Sequence, residues 1–131
     1  MTRRIEFSTP HSTMVPIGPY NHVARAGDLI TIGAIAGVDP ETGDLAGSDV
    51  AAQTLQIIAA FETMLASVGS DLAHVMHVTV FLRDMKHFEA MNAAYESGMR
   101  GHKPTRTAIA VTDLPKPGAL VTMNLMAVAA Q

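Results

Sequence analysis

The stretch Lys103-Pro104-Thr105-Arg106-Thr107-Ala108-Ile109-Ala110-Val111 is the starting point for interpreting the chain. Pro104 cannot donate to a sheet ladder and indicates a strand entrance, after which the side chains alternate with period two. Arg106 and Ala108 therefore share one face of the predicted strand, and Thr107 lies on the other. The arginine stays charged and offers a planar fork of donors that fits a carboxylate. On spacing alone, a solvated or carboxylate-paired surface arginine is the commoner outcome.

Length and composition limit the classes of protein to consider. The 131 residues suit one domain, residues 1–131, with a hydrophobic core, and a 48% hydrophobic content argues against disorder. The net charge of −3 and the lack of a long basic run argue against a dedicated nucleic-acid binder. Cysteine is absent, which excludes a thiolate nucleophile or metal ligand. We find no signal-like start and no apolar run of bilayer length, and we expect a cytoplasmic protein without membrane contact.

The hydrophobic pattern predicts the element order β, β, β, α, β, α, β, β. The predicted strands span residues 3–7, 21–26, 29–36, 75–83, 106–112 and 119–129. A turn at Gly27-Asp28 joins the second and third strands. The first predicted helix runs from Ser48, as N-cap, to about Val68, with Gly69 as its C-cap. The second runs from about Lys86 to Met99. Strands first and helices later indicate an α+β fold, with both helices on one face of a mixed sheet.

The pattern also predicts where particular side chains lie within these elements. Gly33 inside a strand indicates a bulge or a close approach of a ligand. Met76 is expected to face the core with Val78, and Gln53 to lie on the polar side of the first helix. The last strand is apolar on both faces, although no element remains to cover the second face of the sheet. This pattern predicts oligomerisation.

Seven short motifs occur in order along the chain. They are Gly18-Pro19-Tyr20, Asp39-Pro40-Glu41-Thr42-Gly43, Gln53-Thr54, Thr79-Val80-Phe81-Leu82-Arg83-Asp84-Met85, Asn92-x-x-Tyr95, Pro104-x-Arg106 and Leu114-Pro115. Each is common alone, but together they cover nearly the whole chain and resemble the Rid family (reactive intermediate deaminase A, or YjgF, also described as endoribonuclease L-PSP). The resemblance implies a chorismate-mutase-like α+β fold and a homotrimer. Its sheets would pack around a central barrel-like core, with three clefts between neighbouring subunits.

The resemblance also implies an activity. The archetype of the family hydrolyses enamines and imines such as 2-aminoacrylate to a 2-oxo acid and ammonia. By this likeness Arg106 binds the substrate carboxylate, Tyr20 and Asn92 line the cleft, and the backbone of Gly33 approaches the ligand. No metal or cofactor is needed, because a protonated imine is already electrophilic. The expected partner is a small imine, enamine or 2-oxo acid that carries a carboxylate.

The chain departs from the family pattern at the cleft. Thr122 stands where the archetype has a glutamate thought to hold the attacking water, and a threonine can bond water but cannot act as a base. Ile32 replaces the serine before Gly33, and Thr107 follows the arginine. We count Thr122, with Arg106 and Tyr20, among the catalytic positions. Ile32 and Thr107 are counted among the substrate-binding ones, with Arg106, Gly33 and Asn92. The less polar cleft predicts a bulkier or more apolar substrate than 2-aminoacrylate.

Three functions remain open from the sequence. The first is an enamine and imine deaminase that uses Arg106, favoured by the retained Tyr20 and Asn92. The second is a non-catalytic trimer that binds small carboxylates, with a regulatory or chaperone-like role, favoured by Thr122. The third is ribonuclease activity, which the acidic balance and the lack of stacking aromatics disfavour. The six histidines are scattered, and we expect no metal site.

Overall fold

The computed structural model describes residues 4–131 and contains one six-stranded mixed sheet with two helices. The strands are β1 Glu6–Ser8, β2 Val23–Ala26, β3 Leu29–Ala36, β4 Val75–Leu82, β5 Thr105–Ala110 and β6 Val121–Val128. The helices are α1 Val50–Ser67 and α2 Phe88–Met99, and short 3₁₀ turns at Leu72–His74 and Met85–His87 precede β4 and α2. The predicted element order and α+β class are confirmed. Position 3 of the predicted first strand lies outside the described residues.

The strands lie in the order β1-β2-β3-β6-β4-β5 across the sheet. Among the strands of the described residues, only the β4–β5 pair is parallel, with α2 as its crossover helix, and the other pairs are antiparallel. Gly27, with φ of 59°, turns β2 into β3 through the predicted two-residue hairpin. This topology places β3 and β6 at the centre of the sheet and β5, which carries Arg106, at its edge.

The hydrophobic core lies between the two helices and one face of the sheet, which we call the helix face. Its most buried large side chains are Ile30, Ile32, Ile57, Ile58, Phe61, Met64, Leu65, Leu82, Met91 and Met123, each at most 2% exposed. Burying one such side chain contributes about 1.5–3 kcal/mol relative to leaving it in water. Half of these side chains, Ile57, Ile58, Phe61, Met64 and Leu65, belong to α1, which therefore forms a large part of the core.

Met76 does not face the core, contrary to the prediction. It is 52% exposed, while Val75 and Val78 are buried. Val75 pairs with Ala127 and His77 with Met126, so β4 holds one extra residue there. This bulge interrupts the alternation of side chains, which a period-two reading of the sequence cannot detect.

The N-cap of α1 is Asp49 and not Ser48. The Asp49 carboxylate accepts a hydrogen bond of 2.8 Å from the backbone N–H of Ala52. At the other end Val68 is the C-cap, and Gly69 follows with φ of 77°. The predicted C-cap, Gly69, is therefore the residue after the cap, where a left-handed conformation would be strained with a side chain.

Gln53 is buried and not on a polar surface. Its side-chain N–H groups donate to the carbonyls of Gly47 (3.0 Å) and Gly118 (3.3 Å). Its side-chain carbonyl accepts from the backbone N–H of Leu120 at 2.8 Å. A buried amide satisfied on both sides ties α1 to two loops and to the start of β6.

Helix α1 reaches the length and hydropathy of a membrane span, which we did not expect from the sequence. It has 18 residues with a mean hydropathy of 1.2, and half of them are buried inside the protein. Core helices of soluble proteins have the same properties, so this is weak evidence for a membrane segment.

The second face of the sheet, which we call the open face, is not covered by any element among residues 4–131. Leu29, Met126 and Ile109 point to this face and are 42–44% exposed. Thr79 of β4 and Thr107 of β5 pair on the same face. Large apolar side chains on one sheet face are the pattern that led us to expect an oligomer.

Candidate functional site

Arg106 points to the helix face from the edge strand β5. It lies in register with the buried Val78 of β4, which has the same orientation in a parallel pair. The guanidinium carbon lies 4.9 Å from the centroid of the Tyr95 ring and 5.7 Å from that of Phe88. Two aromatic rings of α2 thus hold the cation by cation–π contact in a half-buried position.

The donors of this guanidinium are uncommitted. Among residues 4–131, no carboxylate pairs with Arg106, and its side chain donates no hydrogen bond to the protein. It lines a cavity of about 350 Å³, which we call the arginine pocket. Lys103 and Glu96 also line the pocket, so the two cations exceed the carboxylate by one charge. The pocket is therefore suited to a small anion.

Two further polar groups of the arginine pocket have no partner in the described part of the chain. They are the side-chain carbonyl oxygen of Asn92 and the phenol of Tyr95, one turn apart on α2. Burial raises the pKa of Tyr95 above its ordinary value of 10.0, which the charge of Arg106 partly opposes. Tyr95 therefore remains a neutral phenol near neutral pH. Buried polar groups without partners cost free energy, and a ligand could satisfy them.

Tyr20 and Thr122 lie in a second and larger cavity of about 560 Å³, which we call the loop cavity. The proline-rich loop before β2 forms one wall, and β3 and β6 form the other. The Tyr20 oxygen accepts a hydrogen bond of 3.2 Å from the backbone N–H of Ile17. Its own phenolic hydrogen is then free to donate toward the cavity.

Thr122 sits deep in the loop cavity. It is 6% exposed and lies between Ala36 of β3 and Phe81 of β4 in the sheet register. Its side chain belongs to the open face, whereas its neighbours Val121 and Met123 are in the core. A buried hydroxyl that lines a cavity can hold a water molecule but leaves it without a base.

Gly33 marks a bulge in β3, as predicted. Ile32 pairs with Leu125 and Ile35 with Met123, so one extra residue is inserted between them. The Gly33 N–H already donates to the His22 carbonyl at 3.0 Å. A Cβ at Gly33 would meet no atom within 4 Å. Packing within one chain therefore does not require a glycine at this position, and the space above its backbone stays open.

The structure does not bring Ile32 and Thr107 to either cavity. The side chain of Ile32 is 1% exposed and lies in the core, so only its backbone could meet a ligand. Thr107 pairs with Thr79 on the open face, on the opposite side of the sheet from Arg106. Within one chain, neither side chain is placed where it could contact a ligand in the arginine pocket or the loop cavity.

The predicted site residues fall into two groups on opposite faces of the sheet. Arg106 and Asn92 line the arginine pocket, and Tyr20 and Thr122 line the loop cavity. The two cavities share no lining residue. A small ligand cannot touch both groups of one chain, so a combined site requires a second copy of the chain.

Sequence reasoning gave no separate role to two residues beside these cavities. Tyr95 was named only as part of the Asn92-x-x-Tyr95 motif, and His22 was counted as one of several scattered histidines. Helical spacing places Tyr95 on the same face as Asn92, whereas no local signal separates His22 from a surface histidine. Within residues 4–131, no three histidine or carboxylate side chains cluster as metal ligands.

Comparison with known proteins agrees with this architecture. A RutC family protein of Pyrococcus abyssi is 36% identical over 112 residues, covering 86% of this chain and 87% of the relative. A mouse protein named 2-iminobutanoate/2-iminopropanoate deaminase is 32% identical over 112 residues, covering 86% and 82%. The crystal structure of the YjgF gene product of E. coli superposes with a TM-score of 0.88 at 28% identity, covering 94% of this chain and 98% of that one.

The family model described as endoribonuclease L-PSP matches residues 11–129. This match spans every element from β2 to β6, together with both cavities. The resemblance noted from the seven sequence motifs is therefore confirmed, and the chain belongs to the endoribonuclease L-PSP family, also called the Rid or YjgF family.

Proposed function

We propose that this protein is an enamine and imine deaminase that hydrolyses reactive imines derived from 2-amino acids to 2-oxo acids and ammonia. The observation that carries the proposal is the uncommitted guanidinium of Arg106, held on the Tyr95 ring beside the unpartnered Asn92. A rigid cation with free donors fits a substrate carboxylate bidentately. The similarity to the mouse protein named 2-iminobutanoate/2-iminopropanoate deaminase supports this class of reaction.

The active species is a homotrimer with its sites between subunits. Two observations favour this arrangement: the two cavities of one chain lie on opposite sheet faces, and the open face carries exposed Leu29 and Met126. In such an assembly Arg106 and Asn92 of one subunit meet Tyr20, Gly33 and Thr122 of the next. The trimer acts in the cytoplasm, where 2-oxo acids and their imines are handled.

The reaction needs little chemical equipment. An enamine first tautomerises to the imine, which is protonated on nitrogen. Water then adds to the carbon, the π electrons move to nitrogen, and one water proton passes to that nitrogen. The carbon–nitrogen bond of the tetrahedral adduct breaks, ammonia leaves, and the hydroxyl loses its proton to solvent as the carbonyl forms. Arg106 fixes the carboxylate, Thr122 orients the water, and the free phenolic hydrogen of Tyr20 donates to the departing nitrogen.

A non-catalytic trimer that binds small carboxylates is the second candidate. The observation in its favour is Thr122, which cannot remove a proton from water near neutral pH. Such a protein would bind 2-oxo acids through Arg106 without turnover. An assay of imine hydrolysis combined with 2-oxo acid binding separates the two candidates.

The test is the release of 2-oxo acid and ammonia from imines that an amino-acid oxidase generates in the assay. Wild type is compared with Arg106→Ala over small and bulky imines. Acceleration that disappears in the variant supports the deaminase. Absence of acceleration, with 2-oxo acids still bound in an Arg106-dependent manner, would leave a ligand-binding protein instead.

A further inference from the structure

His22 is buried at the centre of the loop cavity wall. It is 3% exposed and lines the cavity together with Tyr20 and Thr122. Its ring Nε2 lies 2.8 Å from the carbonyl oxygen of Met14, in the proline-rich loop. Because a carbonyl can only accept, Nε2 carries the hydrogen and the ring tethers the loop.

The same ring contacts Tyr20. The two ring centroids lie 5.7 Å apart with an interplanar angle of 70°, an edge-to-face arrangement. The hydroxyl end of Tyr20 is held by the backbone N–H of Ile17. His22 at the ring and Ile17 at the oxygen together determine where the phenol points.

The backbone of His22 completes the connection. Its carbonyl accepts from the Gly33 N–H at 3.0 Å, and its N–H donates to the hydroxyl of Thr9 at 3.2 Å. His22 is therefore hydrogen-bonded to the loop and to the β3 bulge, and its ring contacts Tyr20. Tyr20 and Ala34, the residue after Gly33, line the cavity.

The second ring nitrogen, Nδ1, is buried and has no partner among residues 4–131. Leaving it unpaired costs desolvation, which an apolar side chain of similar bulk would avoid. Packing alone therefore does not account for an imidazole at this position. The tether to Met14 and the edge contact with Tyr20 do.

We propose that His22 is the positioning residue of the site, which holds Tyr20 and the Gly33 bulge in the relative placement that the substrate requires. The inference rests on the proposed deaminase function and adds a residue to it. His22 does not touch the reacting atoms and acts through Tyr20 and Gly33. A misplacement of about 1 Å in such groups can cost up to a hundredfold in rate.

The test compares His22→Leu, which removes the tether, with His22→Gln, whose amide can still donate to the Met14 carbonyl. Ser70→Ala is the matched control, because the Ser70 hydroxyl also makes one buried bond to a carbonyl, that of Val128, outside both cavities. His22→Asn, whose amide is too short to reach Met14, replaces the leucine variant if that variant does not fold. The readouts are kcat, KM, affinity for 2-oxobutanoate and the melting temperature.

We expect kcat/KM of His22→Leu to fall about tenfold, mainly in kcat, and His22→Gln to remain within about threefold of wild type. In a Tyr20→Phe background the leucine substitution should cost less, because both changes act on one group. Ser70→Ala should lower the melting temperature and leave the kinetic constants unchanged. Kinetic constants of His22→Leu like those of Ser70→Ala, or a glutamine variant as impaired as the leucine variant, would overturn the proposal.

If the proposed deaminase function fails, the positioning role of His22 can still be tested by ligand binding. If wild type accelerates no imine, the affinity for 2-oxobutanoate becomes the readout. Weaker binding by His22→Leu than by Ser70→Ala then supports the positioning role, and equal binding contradicts it. A wild-type protein without turnover and without binding would contradict both proposals.

Discussion

The guanidinium of Arg106 lies on the ring of Tyr95, with 4.9 Å between its central carbon and the ring centroid. One residue comes from the edge strand β5 and the other from α2, so the crossover between β4 and β5 builds the contact. The aromatic face holds the cation without using its hydrogen-bond donors. The hydrogen-bond donors of Arg106 therefore remain available for a ligand.

Arg106→Lys should weaken the binding of pyruvate and 2-oxobutanoate by about tenfold or more, because lysine keeps the charge but loses the planar fork and the stacking. The fold should be unaffected, since the side chain makes no hydrogen bond within the described residues. Titration calorimetry and thermal unfolding measure the two effects. Arg83→Lys, at an exposed pair with Asp113, is the control, and equal affinities of the two variants would contradict a carboxylate-binding role.

Tyr95→Phe should flatten the loss of stability at alkaline pH. Burial raises the pKa of Tyr95 above its ordinary 10.0, so above about pH 10 the unfolded chain releases this proton while the folded chain keeps it. The folded state then binds more protons, and the free energy of unfolding falls as pH rises. Urea unfolding from roughly pH 8 to pH 11 measures this slope. Identical slopes for the variant and wild type would contradict the assignment.

Gly33→Ala and Gly37→Ala form a matched pair in which only the second substitution is expected to lower stability. A Cβ at Gly37 would lie 2.3 Å from the Gln53 carbonyl oxygen, and the overpacking should cost about 1–3 kcal/mol of stability. A Cβ at Gly33 meets open space, so the stability should change by no more than about 0.5 kcal/mol.

Gly33→Ala should nevertheless weaken 2-oxo acid binding, by about tenfold, because the added methyl enters the space proposed for the ligand. Denaturant unfolding and calorimetry on the same samples separate stability from affinity. Wild-type affinity in a well-folded Gly33→Ala protein would show that no ligand approaches this backbone.

Thr122→Val should lower kcat by about tenfold and leave KM nearly unchanged, because the isosteric change removes only the hydroxyl proposed to orient water. Steady-state kinetics on one small imine provide the measurement. Thr63→Val, at an exposed hydroxyl of α1 that bonds its own helix, is the control for loss of a threonine hydroxyl. A Thr122→Val enzyme with wild-type kcat would exclude this role.

The sequence predicted those parts of the fold that depend on local pattern. Hydrophobic periodicity and the turn residues Gly27 and Gly69 located the elements, and the seven motifs identified the family. Met76 was placed wrongly because a bulge depends on strand pairing. Gln53 was placed wrongly because two of its three partners, Gly118 and Leu120, are more than sixty residues away in the chain. Long-range hydrogen bonds have no signature in a single window of sequence.

The sequence predicted individual residues of the candidate site but not their placement relative to one another. Arg106, Asn92, Tyr20 and Thr122 all line cavities, yet the sequence could not show that these cavities lie on opposite faces of the sheet. The role of His22 depends on contacts with Met14 and Gly33, which are eight and eleven positions away in the chain. Only the folded chain brings these groups together.

The central claim is that each site combines Arg106 of one subunit with the loop cavity of its neighbour. Two variants test it when expressed together with different affinity tags: Arg106→Ala, which removes the anchor, and Ala34→Trp, which fills the cavity where Ala34 is exposed. Each variant alone should be inactive. In a mixed trimer one of the three sites would combine an intact Arg106 with an open cavity, so mixed oligomers should regain about one third of the wild-type imine hydrolysis. Mixed oligomers as inactive as the separate variants would contradict a site shared between subunits.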